Sequence, residues 1–118
     1  MGKSSRTKGH GFERKMAGEF RDIGFHDAKR HLEYQGEEAN GIDLDGTGIF
    51  KVQLKKHKAY VSINTIHEVQ CGEGDIPLLI TAGDRLEPMV ALRWSDFKRI
   101  IESHLLNDFL NNQKNPGI

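Results

Sequence analysis

The chain has 118 residues, of which 36% are hydrophobic and 29% are charged, and its 17 basic side chains balance 17 acidic ones. This length fits a single domain, and no apolar run is long enough to cross a bilayer. Cys71 is the only cysteine, which excludes an internal disulfide and a cysteine-rich zinc site. Because the N-terminus is polar and basic, without an apolar signal segment, the sequence predicts a cytoplasmic protein with no membrane partner.

The charges are blocked along the chain although they sum to zero. Residues 1–31 are mainly basic, residues 32–50 hold five acidic side chains and no basic one, and residues 51–58 hold four lysines and no acid. Two basic blocks on either side of an acidic block are typical of a protein that binds phosphate groups and also binds a metal ion. The alternative is that these charges are ordinary surface scatter. The charge pattern taken alone favours this alternative.

The first helix is predicted over residues 10–23, where apolar residues recur at helical spacing before Gly24 ends the pattern. These residues are Phe12, Met16, Phe20 and Ile23. Residues 1–8 before this helix are predicted to form a mobile basic arm. Residues 25–34 predict a strand, and a loop follows from Gln35 to Gly41.

The remainder of the chain alternates further strands with two helices. Strands are predicted over residues 42–45, 49–55, 76–81 and 89–93, and Ser62 and Ser95 are suited to capping a short helix and the last helix. The last helix carries an apolar stripe formed by Phe97, Ile100, Ile101, Leu105 and Phe109. Residues 9–111 are therefore predicted to form a single domain, followed by a frayed tail over residues 112–118.

The resulting order, α-β-β-β-α-β-β-α, predicts an α/β fold with a small central mixed sheet flanked by helices. The step from the strand at 49–55 through the short helix to the strand at 76–81 predicts a right-handed parallel crossover.

Candidate chemistry is concentrated in the predicted hairpin. A three-residue loop, Gly46-Thr47-Gly48, would pair Asp43 with Lys51 and place Asp43, Gln53 and Lys55 on one polar face, with Gly48 in the left-handed conformation. A two-residue turn would instead put the carboxylate of Asp43 on the apolar face, at a large desolvation cost. We therefore predict the three-residue loop.

Such a polar face suits Mg²⁺, which binds hard oxygen ligands and keeps several waters. Asp43 supplies an anionic oxygen, and the side-chain carbonyl of Gln53 supplies a neutral one. Lys55 could stabilise charge that builds on a phosphate or orient an attacking water. Glu13, at the border of the buried stripe of the first helix, is a candidate second carboxylate.

These residues together resemble the PD-(D/E)XK nucleases, and among them the archaeal-type Holliday junction resolvases and their phage relatives. The resemblance lies in a helix bearing Lys8-Gly9-x-x-Phe12-Glu13-Arg14, a Gly24-Phe25 step, and the ordered pair Asp43 and Gln53-x-Lys55. It covers roughly residues 8–105, with motifs only in the N-terminal half.

The resemblance implies a restriction-endonuclease-like fold and cutting of four-way DNA junctions by a homodimer that uses Mg²⁺, with Mn²⁺ as a substitute. Glu13, Asp43 and Lys55 would be the catalytic residues, and Glu13, Asp43 and Gln53 would hold the metal. The family usually has an acid where this chain has Gln53, so metal affinity is expected to be lower unless another carboxylate compensates. The candidates are Glu37, Glu38 and Asp45.

Six residues are predicted to contact DNA phosphates: Lys8, Arg14, Arg30, Lys56, His57 and Lys58. The location implied is the cytoplasm of a bacterial, archaeal or phage-infected cell. Two alternatives stay open. One is a nuclease of the same class acting on other DNA, and the other is a non-catalytic DNA-binding module that has lost its second acidic ligand.

Overall fold

The order of elements in the chain follows from the periodicity of its apolar residues. In the computed structural model the backbone is described for residues 2–32 and 40–114, and side chains for residues 9–32 and 40–113. The elements are helix α1 (Gly2–Asp22), strands β1 (Lys29–Arg30), β2 (Leu44–Asp45) and β3 (Phe50–Lys56), a 3-10 helix (Ile63–Glu68), strands β4 (Ile76–Ala82) and β5 (Met89–Ala91), and helix α2 (Trp94–Lys114). The predicted order is confirmed, with a 3-10 helix as the short helix.

A mixed three-stranded sheet forms the centre of the molecule. Strand β4 lies in the middle, parallel to β3 and antiparallel to β5, as the crossover prediction requires. All seven residues of β4 are buried, which explains its continuous apolar sequence. In the parallel register Gln53 lies beside Leu79, and Lys55 lies beside Thr81.

Helix α1 covers this sheet with its apolar face. Phe12, Ala17 and Phe20 are buried at helical spacing and join Val52 and Leu54 of β3 in one core. The chain after α1 packs in the same way, since the ring of Phe25 lies edge-on to that of Phe50. This packing fixes α1 over β3, where the predicted site lies.

The predicted hairpin between residues 42–45 and 49–55 is wrong in its pairing. Strand β2 pairs with β1, and the Asp43 N–H donates to the carbonyl of Val52, which shifts the register by one from the predicted pair with Lys51. The turn is closed by the Phe50 N–H and the Thr47 carbonyl, so Gly48 and Ile49 lie at its centre. Gly48 has the predicted left-handed conformation, with φ of +61°.

Gly46 explains why β2 turns towards β1. Its φ is +79°, and a Cβ there would lie 2.3 Å from the carbonyl oxygen of Asp27. The backbone of the loop therefore approaches the chain just before β1 more closely than any side chain would allow. Local turn chemistry alone cannot reveal this contact, because Asp27 is distant in sequence.

The boundaries of several elements also differ from the predictions. Helix α1 begins at Gly2 rather than near residue 10, and the side chains of residues 1–8, the predicted basic arm, lie outside the described part. The strand predicted over residues 25–34 is reduced to Lys29–Arg30. Helix α2 continues to Lys114, into the predicted tail. Among the helices the structure describes, none is sufficiently long and apolar to cross a membrane.

Candidate functional site

Asp43 is anchored beside the middle of β3. One oxygen of its carboxylate accepts the N–H of Leu54 at 2.7 Å, and its own N–H donates to the carbonyl of Val52 at 2.8 Å. Because side chains alternate along a strand, Gln53 and Lys55 project on the same face of β3, on either side of Leu54. These bonds fix the carboxylate of Asp43 at the backbone of Leu54, the residue that lies between Gln53 and Lys55 in the sequence.

Charged groups from three other segments act on this carboxylate. Burial raises the pKa of Asp43 above its ordinary value, and the nearby charge of Glu13 raises it further. The bond from the Leu54 N–H and the charges of Lys55 and His31 lower it, without cancelling the effect of burial. The charges of Glu13 and Lys55 therefore both act on the carboxylate of Asp43, which is the third predicted catalytic residue.

Glu13 is held by Arg30, a predicted phosphate contact. The Arg30 Nε donates to Oε2 of Glu13 at 2.9 Å, linking α1 to β1 across a half-buried boundary. This bond occupies one carboxylate oxygen, and a carboxylate has acceptor positions on both oxygens. Any contact of Arg30 with a phosphate would therefore use its terminal nitrogens.

Gln53 is the most buried polar residue of the site, with 1% of its surface exposed. Its Nε2 donates to Oε2 of Glu68 at 2.7 Å, and the ammonium of Lys55 lies 3.6 Å from the same oxygen. Within the described part of the chain, Oε1 of Gln53 is buried and has no hydrogen-bond partner. A buried amide oxygen without a donor is an unfilled acceptor, here on a side chain whose nitrogen contacts the carboxylate of Glu68.

Sequence reasoning missed Glu68, which is the last residue of the 3-10 helix. Its backbone is fixed by the loop before Asp43. Gly41, with φ of +77°, packs against the backbone of Glu68, so closely that a Cβ at position 41 would lie 2.4 Å from the Glu68 carbonyl oxygen. Next to this contact, the N–H of Gln70 donates to the carbonyl of Asn40. Only the crossover from β3 to β4 brings the 3-10 helix here, so no local pattern marks this glutamate.

His31 was assigned no role from the sequence, yet it lies at this site. Its Nδ1 is 3.0 and 3.2 Å from the two carboxylate oxygens of Asp45, and its buried Nε2 has no partner among the described residues. Asp45, a candidate to compensate for Gln53, is therefore engaged by His31. The other two candidates, Glu37 and Glu38, lie outside the described residues.

The remaining predicted phosphate contacts surround the end of β3 or lie on α1. Arg14, His57 and Lys58 are exposed, whereas Lys56 is half-buried with its ammonium 5.9 Å from the centre of the Phe12 ring. The side chain of Lys8 lies outside the described part. Lys51, predicted to lie opposite Asp43, instead donates to the carbonyl of Gly48.

The donor set around Asp43 is made of oxygens. In residues 9–32 and 40–113 no group of three His, Cys, Asp or Glu side chains is arranged to hold a metal ion. A hard cation also accepts amide oxygens, and the unfilled Oε1 of Gln53 adds such a donor to the carboxylates of Glu13 and Asp43. This combination fits Mg²⁺ or Mn²⁺ better than a soft metal.

Comparison with protein-family models gives no match for this chain, and comparisons with curated proteins and with solved structures likewise give none.

Proposed function

We propose that this chain is a divalent-metal-dependent endodeoxyribonuclease that resolves four-way DNA junctions, built on a restriction-endonuclease-like fold. The observation that carries the proposal is the half-buried carboxylate of Asp43, whose pKa is raised by burial and on which the charges of Glu13 and Lys55 both act. These three residues come from separate segments of the chain: α1, the segment just before β2, and β3. An acid with a raised pKa that is influenced by a second acid and a lysine is typical of a functional site.

In this proposal Glu13, Asp43 and Gln53 hold the cation through their side-chain oxygens. A bound divalent cation would supply a reactive water and offset the charge of the phosphate. Lys55 donates hydrogen bonds to a non-bridging phosphate oxygen and stabilises the charge that increases there during hydrolysis. The Leu54 N–H and the Arg30–Glu13 bond keep the two carboxylates from rotating away.

DNA would be bound through its phosphates and its shape. The exposed residues His57 and Lys58 follow β3 directly, so a phosphate backbone that crosses the site and continues past the end of this strand would meet them. Binding by phosphate contacts weakens steeply with salt, and we expect that dependence here. The cell compartment proposed is the cytoplasm of a bacterial, archaeal or phage-infected cell.

A homodimer is proposed because α2 has an unusually apolar exposed face. Seven large hydrophobic side chains of α2 are exposed: Trp94, Phe97, Ile101, Leu105, Leu106, Phe109 and Leu110. At roughly 100 Å² each they offer about 700 Å², close to the ~800 Å² that each partner buries in a standard interface. A second copy of the chain would cover this face and give two sites related by a two-fold axis, as a symmetric junction requires.

The proposal is tested by cleavage of end-labelled substrates. Purified protein is incubated with a four-way junction and with a linear duplex of the same arm sequence, in Mg²⁺ and in EDTA. We expect paired, symmetric nicks in the junction alone, lost in EDTA. Equal cutting of both substrates would retain the nuclease and reject junction specificity.

One observation favours a second candidate, a non-catalytic DNA-binding module. Gln53 stands where an acid is expected, and its amide is hydrogen-bonded to Glu68 as a structural residue would be. Tight binding of the junction without cutting in Mg²⁺ or Mn²⁺, together with cutting by Gln53→Glu, would support this module over the active enzyme.

A further inference from the structure

A groove lies at the carboxyl ends of the two parallel strands, between α1 and the chain that follows β4. Its volume is about 320 Å³. Phe12, Leu86 and Pro88 line it with apolar groups, and Lys15 and Lys56 add two ammonium groups. Lys56 is the last residue of β3, and its partner in the register is the last residue of β4. Ligands commonly bind at this edge of an open α/β sheet.

The two lysines of this groove are cations without an anion. Lys56 is half-buried, and its ammonium lies 5.9 Å from the centre of the Phe12 ring. The ring engages one side of an ammonium that carries three N–H donors. In the described part of the chain, neither Lys56 nor Lys15 makes a hydrogen bond or an ion pair with another side chain. Asp84 and Glu87, the acids of the turn after β4, do not line the groove.

We propose that this lysine groove binds one nucleotide of a DNA strand. Lys15 and Lys56 hold its phosphate, and Leu86 and Pro88 contact its sugar. This inference rests on the DNA-binding part of the proposed function. A volume of about 320 Å³ lies at the lower end of the range for ligand sites, roughly 300–1,000 Å³, so the groove accepts a single nucleotide and not a duplex.

The lysine groove lies apart from the carboxylate of Asp43. Lys55 and Lys56 are consecutive in β3, so their side chains point to opposite faces of the strand. A DNA strand that passes the end of β3 can therefore contact Lys55 on one face and Lys56 on the other. The exposed His57 and Lys58 follow at this end and add hydrogen-bond donors to the same path. The groove thus fixes the DNA strand at a second point, away from the phosphate that is cut.

The test measures binding of a fluorescently labelled four-way junction by anisotropy in EDTA, over a range of salt concentrations. The test variant combines Lys15→Gln with Lys56→Gln. The matched control combines Lys29→Gln with Lys98→Gln, which removes two exposed lysines elsewhere on the surface. Each phosphate contact contributes about 0.9 to the slope of log affinity against log salt concentration. We expect this slope to decrease by about 1.8 in the test variant and by less than half as much in the control.

Gly11→Leu tests the groove without a change of charge. Gly11 lines the groove, and a Cβ there meets nothing within 4 Å, so the larger side chain can enter it. Gly9→Leu is the control, because a Cβ there also meets nothing within 4 Å and residue 9 lies about 200° around the helix from residue 11. We expect Gly11→Leu to weaken junction binding by about tenfold, and Gly9→Leu to bind as the wild type does. Thermal unfolding checks that every variant is folded.

The outcomes separate the groove from the proposed nuclease. Equal slopes in the two double-lysine variants, or wild-type affinity in Gly11→Leu, would reject the groove, and junction cleavage by the wild type would leave the nuclease intact. The expected slopes without cleavage would support the groove and reject the nuclease. Thymidine 5′-phosphate is titrated in parallel. If this nucleotide binds and its binding is lost in the Lys15 and Lys56 variant while junction binding is unchanged, the occupant is a free nucleotide and the DNA strand is rejected. No junction binding by the wild type would overturn both proposals.

Discussion

Asp43 illustrates how a half-buried carboxylate at the candidate site weakens the fold that holds it. Burial and Glu13 raise the pKa of Asp43 above its ordinary value of 3.8. The folded protein therefore takes up a proton there more readily than the unfolded chain does. The ionised carboxylate opposes folding at neutral pH, and its cost decreases as the pH falls through the folded pKa towards 3.8.

Asp43→Asn should therefore raise the melting temperature at pH 7. The amide oxygen can still accept the Leu54 N–H, while the buried charge is removed. We expect a gain in unfolding free energy of about 0.5–2 kcal/mol, the usual size for a stabilising substitution, diminishing as the pH falls towards 3.8. The exposed Asp27→Asn should change stability little. A lower melting temperature for Asp43→Asn at pH 7, measured by calorimetry, would contradict this account of the site.

Individual site residues differed in how far the sequence could predict them. Glu13, Asp43 and Lys55 could be selected from the sequence through the family resemblance, but the strand pairing predicted to place Asp43 opposite Lys51 does not form. Glu68 and His31 join the site only through tertiary contacts, one through the crossover and the other through the β1–β2 pair. Counting positions along one strand or helix cannot reveal contacts of this kind.

At the scale of elements, the order of helices and strands was predictable, but the register of the hairpin was not. The apolar residues of α1, β3 and β4 repeat with clear periods, and these periods set the order. The pairing of β2 depends on the contact of Gly46 with the Asp27 carbonyl. That contact turns β2 towards β1, so the predicted pair between Asp43 and Lys51 does not form.

Gly46 provides a direct test of this explanation. Gly46→Ala forces a side chain into a left-handed position at φ of +79° and against the Asp27 carbonyl. We expect the free energy of unfolding, measured with urea, to fall by about 1–3 kcal/mol. The reason is that both the backbone strain and the overlap of the new Cβ with the Asp27 carbonyl must be relieved.

Gly11→Ala is the matched control, since a Cβ at this helical position meets nothing within 4 Å. It should stabilise the protein by about 0.5–1 kcal/mol through helix propensity. Equal, small effects of the two substitutions would show that the close approach at Gly46 is not what positions β2.

At the scale of the whole molecule, the predicted apolar stripe of α2 is present but mostly uncovered. Only Ile100 of that stripe is half-buried against the core, and Phe97, Ile101, Leu105 and Phe109 are exposed. The molecule is elongated, with extents of 62 × 34 × 27 Å and a radius of gyration of 16.7 Å. A compact chain of this length would have a radius near 13.5 Å. The sequence shows that a stripe is apolar but not which surface covers it.

If a second copy of the chain covers α2, one charged substitution in the exposed stripe of this helix should disrupt the dimer. Leu105→Glu places a carboxylate at the centre of the exposed stripe, where pairing would desolvate it. We expect a wild-type dimer and a largely monomeric variant by light scattering at micromolar concentration. Ile23→Glu is the control, because Ile23 is an exposed apolar residue directly after the end of α1. This variant should stay dimeric. A monomeric wild type would remove the homodimer from the account.

The central claim is that Asp43 and Lys55 form the active site of a metal-dependent junction nuclease. The most direct measurement is the initial rate of junction cleavage in Mg²⁺ for wild type, Asp43→Asn, Lys55→Met and the control Asp27→Asn. We predict losses of about 100-fold or more for the first two variants, the size expected when a charge-stabilising group is removed, and a wild-type rate for the control. Cleavage by Asp43→Asn at the wild-type rate would contradict the claim.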